Sequence, residues 1–364
     1  MGLGSCAVES LVKERVRHPI IEQDIAQVAQ TVGPSLERLR GKRLLITGGT
    51  GFIGIWLLET ITWLNDQWDQ PCRIYVPTRS PERFSRKVPH LVRADIVLLS
   101  GDVRAFEYPD DRCDMIIHAA APADPHTLDR DPLGVASIIV DGTRRALDLA
   151  AQKRVESFLL VSSGAVYGSQ PPELERVPED YMGGPDLANP RSAYGEAKRY
   201  AEVLCALYCE KFGIPIRIAR PFTFIGPYQD LEAGFAVTDF LKAGLQGLPL
   251  RIRGDGTTIR SYCYASDLMV ALWKILLTAP VGRAYNVGSE EPISIFELAH
   301  KVAAVLDGPI EISVASAPAQ SRQPSRYVPD VSRGKAELSL TVEVDLQEAL
   351  IRTLSWMRDA QSIF

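Results

Sequence analysis

The chain lacks any apolar run near the ~18–20 residues that span a bilayer. The best candidate, Leu268 to Leu277, is short and contains Lys274. No charged-then-apolar leader opens the sequence, so a soluble cytoplasmic protein is expected, with no membrane partner. Basic excess is also missing. Forty Lys and Arg stand against 45 Asp and Glu, a net charge of −5. That balance argues against a dedicated nucleic-acid binder. The cysteines Cys6, Cys72, Cys113, Cys205, Cys209 and Cys263 form no CxxC pair. They read as reduced buried thiols. The five histidines form no HExxH pattern, and no metal site is expected. Repeats and low-complexity segments are absent. With 46% hydrophobic and 23% charged residues over 364 positions, the composition is that of a globular α/β protein of one large domain or two lobes.

Residues 1–40 read as an N-terminal helical extension. Ile21, Ile25 and Val28 fall on one helical face, with Pro19 near its start and Gly33-Pro34 ending it. The pattern changes at Lys42. Short apolar strands are expected at 43–47, 74–76, 96–99, 115–117, 158–161 and 216–218, with long helices over 134–152 and 193–212. Strands alternating with helices at this spacing imply right-handed crossovers and a doubly wound parallel sheet of Rossmann type. Residues 41–220 are therefore assigned to a dinucleotide-binding domain. Residues 221–364, richer in Gly and Pro, form mainly a smaller α/β substrate lobe, segments of which can return to the first domain. Residues 169–192 contain five prolines and little periodicity, which marks a long loop.

The first strand runs directly into Gly48-Gly49-Thr50-Gly51-Phe52-Ile53-Gly54. Glycines at 48, 51 and 54 allow a tight turn and bring backbone N–H groups close to a pyrophosphate. The next helix offers its positive N-terminal end to that anion. The second strand ends in Thr78-Arg79-Ser80. NAD-preferring sites usually place a carboxylate there for the ribose hydroxyls. Thr78 cannot serve so, whereas Arg79 can meet a 2′-phosphate or simply be solvated. The expected cofactor is NAD or NADP. Asp102, after the third strand, is placed to approach the adenine. Ala119, Ala120 and Ala121, after the fourth, are small enough to let a cofactor lie flat.

Tyr194 and Lys198 are four residues apart and share a helical face. A fixed ammonium beside a phenol, whose free pKa is about 10, favours phenolate. Tyr194 can then exchange a proton with a substrate hydroxyl. Ser163 follows the fifth strand, at the end where such sheets bind ligands, and can hold the same oxygen.

Taken together, GGTGFIG (48–54), IIHAAA (116–121), SSGAVYG (162–168), YGEAK (194–198), ARPFTFIGP (219–227), RSYCYASDL (260–268), YNVG (285–288) and SRYVPD (325–330) resemble the extended short-chain dehydrogenase/reductase superfamily. The similarity is to its nucleotide-sugar epimerases, dehydratases and reductases, over about residues 41–358. It implies a tightly held nicotinamide cofactor and a triad of Ser163, Tyr194 and Lys198, with Tyr194 and Lys198 also touching the cofactor. Val103 and Pro221 join the implied cofactor contacts. The same resemblance implies a nucleoside-diphosphate sugar whose diphosphate meets Arg260 and Arg326. It further implies a homodimer through helices 134–152 and 193–212.

Four positions depart from that family's pattern. Acidic residues that usually follow the catalytic serine or threonine in its dehydratases and sugar-acid decarboxylases are here Gly164 and Ala165. Neither can move a proton, so both activities are disfavoured. Two positions that are often Asn are Ile139 and the expected substrate contact Thr223. The leading expectation is a nucleotide-sugar 4-epimerase working by transient oxidation at C4. The second is an NADPH-dependent 4-keto-sugar reductase. A dinucleotide-binding scaffold without turnover is the third, and the intact Ser163, Tyr194 and Lys198 speak against it.

Overall fold

A computed structural model describes residues 17–107, 109–316 and 324–361; the first sixteen residues of the expected extension, Cys6 among them, lie outside these ranges. Helix α1 (Pro19–Val32) starts at the His18 cap, whose ring accepts from the Ile20 amide at 3.2 Å. Its apolar face, Ile21, Ile25, Val28 and Val32, is withdrawn from water. Then follow β1 (Arg43–Thr47), α2 (Phe52–Asn65), β2 (Arg73–Thr78), α3 (Pro81–Lys87), β3 (Ile96–Ser100) and β4 (Met115–His118). Helices α4 (Pro125–Arg130) and α5 (Pro132–Lys153) lead to β5 (Ser157–Val161), α6 (Ala193–Phe212) and β6 (Ile216–Pro221).

Together with a later strand, β11 (Ala284–Val287), these six form a seven-stranded sheet in the order 11-6-5-4-1-2-3, every neighbouring pair parallel. Strand alternation sorts the core onto two faces. Leu44, Ile46, Ile117 and Leu159 pack beneath α1 and α2, while Leu45, Ile116, Phe158 and Leu160 pack beneath α5 and α6. Helix α2 is apolar nearly all round because it is covered on both sides.

The rest of the chain contributes β7 (Phe224–Ile225), α7 (Ala236–Leu245), β8 (Leu250–Ile252), β9 (Ile259–Arg260), β10 (Cys263–Tyr264), α8 (Ala265–Thr278) and β11 (Ala284–Val287). Strand β11 rejoins the large sheet beside β6, and α8 packs on the same face as α1 and α2. The seventh strand was not anticipated from its sequence. Beyond it lie β12 (Ile293–Ser294), α9 (Ile295–Ala304), β13 (Ile312–Val314), β14 (Arg326–Tyr327), α10 (Ser332–Leu338) and α11 (Leu346–Gln361). Val237, Phe240, Leu250, Leu298, Val302 and Leu350 form a second core here. The extension is bolted to this half. The buried Asp24 carboxylate accepts from Tyr264 Oη and from Arg352, each at 2.6 Å.

Candidate active site

The glycine turn is shaped by backbone contacts that admit no side chain. Gly48 sits at φ +71°, and a Cβ there would lie 2.8 Å from the backbone of Ala119 and Ala120. A Cβ on Gly54 would lie 2.3 Å from Gly48 O. Gly51, which caps α2, meets only Gly48 O, at 3.4 Å, so its outer side is open. Thr50, Phe52 and Ile53 complete the mouth of this concavity, and the first-turn N–H groups of α2 have no intrahelical acceptors. A dinucleotide pyrophosphate fits this arrangement. Ala119, Ala120 and Ala121 stand half-buried at the end of β4, and Val103 packs near Gly142. Pro221 closes β6 and is buried.

At the end of β2, Thr78 is buried and its hydroxyl accepts from the Ser80 amide at 3.2 Å. Arg79 is exposed and enters no ion pair among the described residues. The Asp102 carboxylate is held by Arg104 at 2.7 Å, which keeps it below the usual carboxylate range.

The structure brings Ser163, Tyr194 and Lys198 together. Ser163 follows β5 and caps a short 3₁₀ turn, its Oγ accepting from the Ala165 amide at 3.1 Å. Tyr194 and Lys198 lie in the first turns of α6. The Lys198 ammonium donates to Val161 O at 2.7 Å and stands 6.0 Å from the centre of the Tyr194 ring. Burial drives Lys198 down to about 8, opposed by the charge of Glu202. The expected lowering of the Tyr194 phenol is not seen. Burial pushes it above its ordinary value, and only the neighbouring Ser163 hydroxyl works against that. The ammonium is turned toward a backbone carbonyl and sits too far off to win.

Behind the triad, Glu202 accepts from Ser162 Oγ at 2.6 Å and from two nitrogens of Arg220, at 2.6 and 3.0 Å. Arg220 also donates to Tyr167 Oη at 2.7 Å. Glu202 lies one helical turn beyond Lys198, and its charge raises the pKa of the ammonium.

The expected diphosphate ligands separate. Strand β14 lies parallel to β9 with Arg326 beside Ile259 and Tyr327 beside Arg260. Arg326 lines a cavity of about 840 Å³ with Asp255, Thr257, Ile259, Ser294 and Phe296. Tyr327 takes the other face. Its ring stacks on Phe222 with centroids 4.4 Å apart, and the Arg260 guanidinium stands 5.8 Å from the ring centre. Arg260 has no carboxylate within ion-pair distance among the described residues, and burial lowers its pKa. A buried cation paired with no anion is chemically ready for one. Thr223 is half-buried next to Phe222, its carbonyl accepting from the Cys263 amide at 3.0 Å. Ile139 is fully buried in the core beneath α5. Tyr327 was missed as a site residue although it lies inside the SRYVPD motif.

The sheet order, the glycine turn and the Ser-Tyr-Lys centre define an NAD(P)-dependent enzyme of the extended short-chain dehydrogenase/reductase type. The comparisons agree. Residues 44–288 match the NAD dependent epimerase/dehydratase family, and the chain belongs to that family. It is 32% identical over 322 residues to UDP-glucuronic acid decarboxylase 1 of Xenopus tropicalis, covering 87% of this chain and 72% of that protein. It is 33% identical over 314 residues to UDP-glucuronic acid decarboxylase 3 of Arabidopsis thaliana, covering 85% and 86%. Among solved structures, the UDP-glucose 4-epimerase of Thermus thermophilus in complex with NAD is similar at a TM-score of 0.72 and 25% identity, covering 87% of this chain and 99% of that one. No helix among the described residues is long and apolar enough to cross a membrane.

Proposed function

We propose that the chain moves hydride at C4 of a nucleoside-diphosphate sugar and works as a 4-epimerase. The bound nicotinamide supplies hydride acceptance and return. Tyr194 takes the proton of the C4 hydroxyl, Ser163 holds that oxygen, and Lys198 brings a positive charge near them without lowering the resting phenol. Arg260 is the residue proposed to hold the diphosphate. Arg326 faces the neighbouring cavity and is the weaker candidate, with Thr223 at the edge of the sugar site.

The observation that carries this reading is at position 164. A Cβ there would lie 2.6 Å from both Phe222 and the Tyr327 hydroxyl, so no acidic side chain fits. With Ala165 beside it, elimination of water and steering of a sugar carboxylate have no group to perform them. This separates the chain from the decarboxylases it is similar to and leaves chemistry that needs only the triad.

A second reading, an NADPH-dependent 4-keto-sugar reductase, is favoured by Arg79, exposed and free of ion pairs among the described residues where a 2′-phosphate would lie. Incubation with UDP-, dTDP-, CDP- and GDP-sugars without added reductant decides between them. The epimerase converts one of these sugars, and Tyr194→Phe abolishes conversion while the cofactor stays bound. Turnover only with NADPH and a 4-keto sugar establishes the reductase instead. Failure of both assays leaves the scaffold reading.

A homodimer belongs to the same proposal. Helix α6 leaves Tyr200, Val203 and Leu207 about half exposed at helical spacing, an apolar stripe suited to self-association.

A further inference from the structure

Ser163 is given two phenols. Its hydroxyl has the Tyr194 and Tyr327 phenols as neighbours, which approach it from different lobes. Tyr327 is held there firmly. Its strand pairs with β9, its ring stacks on Phe222, and its hydroxyl fills the volume that any side chain at Gly164 would need.

A serine hydroxyl has one proton to give and two lone pairs to receive. One lone pair already takes the Ala165 amide. Burial keeps the Tyr327 phenol protonated across the working pH range, so it is a donor. When Tyr327 donates to Ser163 Oγ, both lone pairs are occupied. The serine proton then has one direction left, toward the Tyr194 oxygen and the substrate oxygen beside it.

We propose that Tyr327 is a positioning residue that fixes the polarity of Ser163, making the serine a dedicated donor to the reacting oxygen. This inference rests on the C4 hydride-transfer reading of the site. It assigns Gly164 a purpose as well, since the missing side chain leaves room for the second phenol.

Tyr327→Phe keeps the ring, its stacking on Phe222 and its contact with Arg260, and removes only the donor. Expected is a fall in kcat of about tenfold, the loss typical of one hydrogen bond to a charged group, with KM within about twofold. In a Ser163→Ala background the same change adds nothing, because the serine through which it acts is gone. An unchanged kcat, or a tenfold loss that persists without Ser163, overturns the proposal. A turnover-independent reading separates this from failure of the functional assignment. The ionisation of Tyr194, followed by ultraviolet difference against Tyr194→Phe, moves to higher pH in Tyr327→Phe when the serine proton is no longer aimed at it. An unmoved titration overturns the positioning role. A moved titration in a chain that converts no sugar nucleotide overturns the C4 assignment and leaves the positioning role standing.

Discussion

Lys198 donates to the carbonyl of Val161 across 2.7 Å, from a helix onto the end of the strand that leads to Ser163. The bond ties α6 to β5 at the point where chemistry is proposed. It also fixes an ammonium where burial holds its pKa near 8.

The first prediction follows from that value. The ammonium is charged below about pH 8 and neutral above it. The positive charge it brings to the site is therefore lost as pH rises. The kcat/KM profile of the proposed reaction, which reports the free enzyme, is expected to fall above about pH 8. Lys198→Arg retains charge and moves that limb upward, while Lys198→Met removes activity across the profile. A flat profile from about pH 7 to about pH 9.5 contradicts the assignment.

Arg79 sets the second. If it meets a 2′-phosphate, Arg79→Gln weakens NADP by about tenfold or more, the loss of one charge-assisted hydrogen bond, and leaves NAD within about twofold. Titration of both dinucleotides by calorimetry gives the ratio. Equal loss for the two cofactors shows that Arg79 does not read the phosphate.

Asp24 tests the extension. Its carboxylate is fully buried and serves Tyr264 and Arg352. Asp24→Ala leaves the Tyr264 phenol without its acceptor and the Arg352 guanidinium with Glu348 alone, at a cost of about 2–4 kcal/mol in unfolding free energy. Urea denaturation measures it. Cofactor affinity is expected to hold, because α1 packs on the outside of the sheet away from the glycine turn. A variant as stable as the parent shows that the clamp contributes nothing.

His118 gives an acid-side prediction. Its ring bonds Thr47 Oγ1 at 2.7 Å and Thr143 Oγ1 at 3.1 Å, and burial drives its pKa down to about 3. The unfolded chain binds this proton from 6.5 downward and the folded chain refuses it until about 3. Stability therefore falls as pH drops through that window, and the group contributes no slope above it. Between about pH 6.5 and about pH 5 the loss is about 2 kcal/mol for one proton. His118→Asn is expected to flatten the pH dependence of the urea midpoint there. An unchanged slope assigns the acid sensitivity to other groups.

Much of this was legible beforehand because the first half of the chain alternates strands and helices with strong period. Each of the six expected strands appears, lengthened by up to three residues at its ends, since a sheet covered on both faces makes its strands uniformly apolar. Helix 193–212 appears with the expected bounds. Strand β11 escaped notice because four residues carry no periodic signal and the chain between it and β6 first passes through the smaller lobe. The site was legible where its residues share one helix or one turn. It was not where two-residue strands decide it. Arg326 and Tyr327 are neighbours, and side chains on a strand alternate between faces. The family resemblance pointed to the arginine, while the register of β14 against β9 turns the tyrosine toward Gly164 and Phe222.

The placement of β11 has a consequence for anyone cutting this protein into parts. The border of the large sheet beside β6 is supplied by chain that has first passed through α7, β8, β9 and α8. A fragment ending at residue 220 would carry every glycine of the turn and the whole triad, yet expose a naked edge and an oily flank stripped of α8. Such a piece should stick to itself before it captures any dinucleotide, so the two lobes are not interchangeable modules.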